Sequence, residues 1–333
     1  MSKLDPATDV TPAAAAGGPA AVIRVLMRPV VAVWLLFVLM IPLSRLFSAN
    51  FPSWALVTNT IVLGLFLAVV SFGQGMVVLS GGIDLSVASA IAYSAFFTGS
   101  LATAGWPTPA AVVAGIGVAS LIGLVNGLIV AYLSFPPFIV TVAVSTIASA
   151  TLLGLSGGRP GQHSPKVLIS LFNGSVRPLG LPLAFYLLLA VVAIGAWVQF
   201  RTRLGRRTYA VGNSQVAARY AGIRVRLTLV AVYWIAGIAY GVAGVLLLGY
   251  GAGSDLNIGA SWMLPSIAAV VVGGSAIAGG SGNWFGTVGA ALLLTLIGID
   301  ISAVGFSEGI KQVLYGGVVF AALLLGKLEG RRE

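Results

Sequence analysis

Residues 201–226 read RTRLGRRTYAVGNSQVAARYAGIRVR, with seven arginines and no acidic residue. Apolar sequence long enough to cross a membrane lies on either side. A polar stretch between two such runs is a loop at a membrane face, and this decides the fold class. Within it, Asn213 to Ile223 reads as a short amphipathic helix closed by Gly222. The arginines on their own report only which face the loop occupies. The amphipathic spacing adds a second expectation, that the helix docks onto another protein.

Outward from the loop, the chain is 58% hydrophobic and only 8% charged over 333 residues. Soluble domains carry about 25% charged residues, so a water-soluble enzyme is excluded on composition. There are no cysteines, which removes disulfides and thiol chemistry. A net charge of +10 would suggest nucleic acid in a soluble protein. Here the basic residues fall between apolar runs, so they report topology and no nucleic-acid partner is expected.

A helical span needs roughly 20 apolar residues to cross about 30 Å of hydrocarbon. Ten candidates emerge, at 29–47, 55–79, 85–104, 110–133, 137–156, 180–200, 227–250, 263–279, 284–304 and 310–327, with the third and eighth short or broken. The expected protein is therefore all-α and polytopic, with pseudo-repeated halves. Residues 1–21 read as a disordered cytoplasmic tail without the apolar core of a cleavable signal. Residues 22–328 form one membrane domain containing the 201–226 loop, and 329–333 form a short second tail.

Charge sets the orientation. With the N-terminus inside, the cytoplasmic face holds Lys3, Arg24, Arg28, the seven loop arginines, Lys327, Arg331 and Arg332. The outer face then holds Arg45, Arg159, Lys166, Arg177 and Lys311. This asymmetry predicts both termini inside.

Three Gly/Pro-rich interruptions cut apolar territory: Ser80 to Ser86, Phe135 to Phe138, and Gly273 to Gly282. Non-helical backbone at membrane depth is tolerated where protein buries it or where it lines a cavity. VVLSGGIDLSVASA (77–90) and VVVGGSAIAGGSGNWFGTVGA (270–290) echo each other, one in each half. Paired broken helices are a pointer to a transport pathway. Other glycines, such as Gly123, Gly127, Gly237 and Gly241, are expected to permit close helix packing.

An acid at membrane depth costs about 2.5–3.5 kcal/mol on insertion scales, so Asp84 and Asp300 are candidates for function. Asp84 has two compatible roles, a cap on the helix that follows it and a contact with solute. With Gln74, Ser86, Asn126 and Asp300 it makes up the expected polar pathway. His163 is the only histidine and has no cysteine partner, so no metal site is expected. No Gly-x-x-x-x-Gly-Lys-[Ser/Thr] phosphate loop occurs, no Ser, His and Asp are grouped for nucleophilic catalysis, and no cofactor is implied.

Four stretches together resemble a known family. They are LSGGIDLSVAS (Leu79 to Ser89), NGLIVAYLSFPPFIVTVAVSTI (Asn126 to Ile147), LGRRTYAVGNSQVAARYAGIRV (Leu204 to Val225) and IAAVVVGGSAIAGGSGNWFGTVGA (Ile267 to Ala290). In order and spacing, over about positions 55 to 327, they resemble inner-membrane permeases of bacterial ABC importers of the ribose/xylose/autoinducer type. Two departures stand out: Ala88 where the family usually has glycine, and Met263-Leu264-Pro265 where many relatives carry Glu-Leu-Asp.

The resemblance implies a non-catalytic permease that pairs with a second copy or a paralogue. Its other partners would be two cytoplasmic ATP-binding subunits and a periplasmic sugar-binding protein. It also makes the arginine loop the coupling element, with Gly205, Arg206, Asn213, Ala217, Ala218, Gly222 and Ile223 as the residues expected to serve the ATPase. Arg159, Lys166 and Arg177 on the outer side are expected to meet acidic groups of the binding protein and steer it. The rival class is an ion-coupled carrier using Asp84 and Asp300 as proton or sodium sites. That class leaves the basic loop without a task.

Overall fold

A computed structural model describes residues 29–48, 51–159, 163–172, 176–251, 253 and 255–329. The expected tail at 1–21, most of the one at 329–333, and Lys3, Arg24, Arg28, Arg331 and Arg332 lie outside these residues. Thirteen α-helices are described: α1 Pro29–Leu43, α2 Trp54–Leu79, α3 Val87–Thr103, α4 Thr108–Leu133, α5 Pro137–Ser156, α6 Lys166–Phe172 and α7 Leu183–Ala196. They continue as α8 Arg203–Asn213, α9 Gln215–Tyr220, α10 Val225–Tyr250, α11 Ala260–Val272, α12 Trp284–Ala303 and α13 Glu308–Glu329.

Among the described residues, seven helices are long and apolar enough to cross a membrane, counting the turns that extend α1 to Leu46 and α7 to Arg201. The shorter apolar helices α3 and α11 and the 22-residue α13 bring the series to ten, in the order read from the sequence. The third and eighth candidates are indeed the short ones. Helix α11 stops at Val272, well before 279, because Gly273 and Gly274 follow it and Gly274 takes φ +92°, a conformation that disfavours a side chain.

Side-chain caps fix several starts. Ser53 accepts from Leu56 N–H ahead of α2, Thr202 from Gly205 N–H ahead of α8, and Asn283 from Phe285 N–H ahead of α12. Helix α5 begins directly after Pro136, with Pro137 in its first turn, where no N–H is needed.

Helices α2, α10 and α12 form the centre, with 78%, 67% and 78% of their apolar windows buried, while the other long helices reach only 11–28%. Each central helix is apolar all round, as the middle of a bundle requires. Helices α4 and α10 lie unusually close. A Cβ on Gly123 would stand 2.9 Å from Gly237 Cα, one on Gly127 2.9 Å from Val230 Cα, and one on Gly241 2.9 Å from Ile116 Cα. The packing role expected of these four glycines is therefore what the fold uses.

Candidate functional site

The first break gathers the polar residues. Helix α2 ends at Leu79, Gly81 turns the chain with φ +86°, and α3 starts only at Val87. Asp84 Oδ1 accepts from the Ser86 backbone N–H at 2.8 Å and from the Ser86 hydroxyl at 2.6 Å. Asn126 of α4 in turn donates Nδ2–H to Ser86 Oγ at 2.7 Å. Tyr240 of α10 donates to Gln74 Oε1 at 3.1 Å, and a Cβ on Gly82 would lie 2.5 Å from the Tyr233 hydroxyl. The break is also held from α5, where Thr141 Oγ1 accepts from Leu85 N–H at 3.1 Å.

Asp84, Ser86, Gln74, Asn126, Tyr233 and Tyr240 are all fully buried. Four atoms of this cluster have no partner: Gln74 Nε2, Asp84 Oδ2, Asn126 Oδ1 and the Tyr233 hydroxyl. A buried polar atom without a partner costs about 1–3 kcal/mol, so four in one place make this cluster the candidate site of the bundle. Donors and acceptors are both represented, as hydroxyl-bearing molecules require.

Two expectations change here. Asp84 is not the N-cap of α3. That position is Ser86, which makes no side-chain cap bond, and Asp84, two residues ahead of it, accepts from the Ser86 N–H to close a turn. Asp300 lies apart from the other pathway candidates, near the opposite end of the bundle, where its Oδ2 accepts from Ser44 Oγ at 2.8 Å. The two acids therefore do not share a site, and the carrier reading loses its paired carboxylates. Tyr233 and Tyr240 were missed by sequence reasoning. Their signal was present, two tyrosines seven apart on the face of α10 that also carries Gly237 and Gly241.

The second break meets the first. Gly280 N–H donates to Leu79 O at 3.0 Å, and a Cβ on Gly279 would fall 2.7 Å from Gly81 N. The end of α8 closes the same junction. A Cβ on Gly212 would meet the Leu79 carbonyl and lie 2.5 Å from Gly280 N, while one on Gly280 would lie 2.8 Å from Asn213 Cα. Tyr209 of α8 donates to Gly282 O at 2.7 Å and accepts from Gln199 Nε2 at 2.7 Å. Partial burial pushes the Tyr209 phenol up from its ordinary value, so the group remains a donor.

The arginine segment thus folds as two helices, and the expected single helix from Asn213 to Ile223 is shorter in fact. Asn213 ends α8, Ser214 caps α9 by accepting from Ala217 N–H, and Gly222 closes it with φ +77°. Ala218 turns inward and packs with Val211, Val225, Leu229 and Ala131. Gly205 is buried too. Arg206, Asn213, Ala217 and Gly222 are exposed, Ile223 is half-buried, and the most open apolar residues are Val216 at 64% and Tyr220 at 90%. At the other end of the bundle Arg159, Lys166 and Arg177 are all exposed, and α6, which Lys166 opens, packs against the end of α10 at Gly249.

Comparison with known proteins bears on this arrangement. Residues 56–323 match the family described as branched-chain amino acid transport system / permease component. The chain belongs to this family. It is 31% identical over 265 residues to the autoinducer 2 import system permease protein LsrD of Photorhabdus luminescens, covering 78% of this chain and 79% of the relative. The corresponding permease protein of Salmonella typhimurium is likewise 31% identical with the same coverage. That of Escherichia coli O9:H4 is 32% identical over 264 residues, again 78% and 79% of the two chains. The permease is a multi-pass inner-membrane transport protein, and the four motif stretches read from the sequence all fall within the matched region.

Proposed function

We propose that this permease is the transmembrane subunit of an ABC importer that admits a sugar-like small polar solute by alternating access. The observation that carries the proposal is the glycine junction at Gly212, where the arginine segment touches both helix breaks. A push on α8 and α9 has no slack to absorb it before it reaches Leu79 and Gly280. The first break holds Asp84 and Ser86, so the same movement acts on the buried polar cluster. Gln74, Asp84, Ser86 and Asn126 are the pathway groups in this scheme, sealed in the present conformation and exposed when the breaks part. Asp300 has a supporting role beside Ser44.

The relatives' description as import-system permeases supports partners of the same kind for this chain. Two ATP-binding subunits dock on the exposed face of α8 and α9 and carry the hydrolysis. A solute-binding protein delivers to the opposite face, where Arg159, Lys166 and Arg177 lie, and a second permease copy or a paralogue completes the channel. The solute class rests on the same likeness and on the mixed donors and acceptors of the buried cluster.

The test is solute uptake together with affinity capture from gently solubilised native membranes. Uptake that stops on ATP depletion, with an ATPase recovered on the permease, is the expected result. Uptake that persists without ATP and stops with a protonophore would overturn the reading in favour of a carrier.

A further inference from the structure

A pocket of about 300 Å³ opens at the arginine end of the bundle, the cytoplasmic face by the charge asymmetry. That volume is at the lower end of the range for small-molecule sites. Gly82 lines it from the first break, and Ser134 from the turn between α4 and α5. Its third side is the arginine segment, with Gln215 and Arg219 one turn apart on α9 and Arg226 in the first turn of α10. Val216 and Tyr220, the open apolar residues of α9, do not line it.

The lining is that of an anion site. Two arginines contribute to it and no acidic residue does. Among the described residues neither arginine is paired with an acid. Arg226 rests with its guanidinium 5.4 Å from the centre of the Tyr132 ring, a contact that holds the group without neutralising it. Gln215 and Ser134 add neutral donors. Tyr233 lines the pocket too, fully buried, with its hydroxyl against Gly82 and without a partner. The Gly81 and Gly82 amides are already bonded to the Val78 and Val77 carbonyls, so recognition falls to the side chains.

Two fixed positive charges match a dianion. A phosphate monoester carries about −1.5 to −2 at neutral pH and offers three acceptor oxygens, which guanidinium forks bind in pairs. Phe135, Val130 and Leu229 supply an apolar wall for an organic body attached to it. A phosphodiester headgroup, with a single charge, would leave one arginine unmatched.

We infer that this pocket binds a small, soluble phosphate monoester from the cytoplasm, and that its occupant clamps the first break to the arginine segment. Such a ligand bridges α9 and α10 to Gly82, across the joint that moves when the breaks part. It therefore favours the sealed conformation and slows transport from inside. The effect on transport rests on the importer reading; the binding site does not.

The test uses ribose 5-phosphate as the probe and ribose as its uncharged control. Titration calorimetry on the purified full-length permease should show binding of the phosphate, weakened at least tenfold by Arg219→Gln with Arg226→Gln. Arg207→Gln, outside the pocket, should stay within twofold. The chain has no cysteine, so Ser134→Cys places a single thiol at the site with both arginines intact. Ribose 5-phosphate should slow its maleimide labelling at least fivefold, and ribose should not. No binding by the wild type, equal affinity in the paired variant, or equal protection by ribose would overturn the site. Phosphatidic acid in nanodiscs should leave labelling unchanged; protection by that lipid and not by ribose 5-phosphate would assign the pocket to a headgroup instead. In the complete importer, saturating probe should lower ATP hydrolysis at least threefold, and hydrolysis indifferent to bound probe would overturn the clamp. A permease that recruits no ATPase would overturn the importer reading itself, while the titration still decides the site.

Discussion

Asp84 shows how a single residue holds a break open. Its Oδ1 takes two donors from Ser86, and without that carboxyl the Ser86 N–H is buried with no acceptor. Asp84→Leu should lower stability by about 1–3 kcal/mol, the cost of an orphaned buried donor, while Asp84→Asn keeps an acceptor and should lose less. Thermal unfolding in detergent reads both, and equal losses would show that the charge and not the acceptor matters. Tyr209 sits at the other side of the junction. Because burial raises its phenol above the ordinary 10.0, the fold favours the neutral form, and its contribution is complete below pH about 10 and lost as pH rises through the raised value. Tyr209→Phe should cost about 1 kcal/mol at neutral pH and abolish this alkaline loss of stability. An unaltered alkaline unfolding profile in the variant would refute the assignment. Asp84 was legible in the sequence because an acid in apolar territory is conspicuous. Tyr233 and Tyr240 left only a spacing on one face of α10, because tyrosine is at home at helix packing surfaces and the fold alone brings their hydroxyls into the polar cluster.

Among the elements, the broken helices and the arginine segment form one unit. Gly212 is the contact on which the three parts meet, and any side chain there must push Leu79 and Gly280 apart. Gly212→Val should leave membrane insertion intact and reduce uptake tenfold or more, with ATP hydrolysis by the complex continuing. Loss of the protein from the membrane would assign Gly212 to folding instead. The exposed face of α9 separates docking from packing. Val216→Asp, at a position 64% exposed, should weaken ATPase recovery in affinity capture without lowering thermal stability. Ala218, nominated for docking from the sequence, is inside, so a charge there would disrupt the packing with Val211 and Leu229 before it touched any partner. Helical periodicity had placed an amphipathic helix in the right segment. Which of its faces is buried depends on α10, the next helix, and on Ala131 of α4, far earlier in the chain.

For the whole molecule, charge and hydropathy divide the two ends. The arginine segment and both breaks lie at one end, and Arg159, Lys166 and Arg177 at the other. Reversing those three charges should weaken association with a solute-binding protein, and the effect should fade as salt rises. Equal affinity at low salt would remove them from that interface.

Ten apolar segments, the asymmetry of basic residues and the four motif stretches were determined by the sequence alone. Each follows from local chemistry, since the hydrocarbon layer sets segment length and excludes charge wherever it occurs. The union of the two breaks with Gly212, the burial of Ala218 and the separation of Asp300 from Asp84 were decided only by the tertiary structure. Those features join segments up to about two hundred residues apart, as Leu79 and Gly280 do through one hydrogen bond. Local pattern shows that a helix breaks, but only packing decides what the break touches.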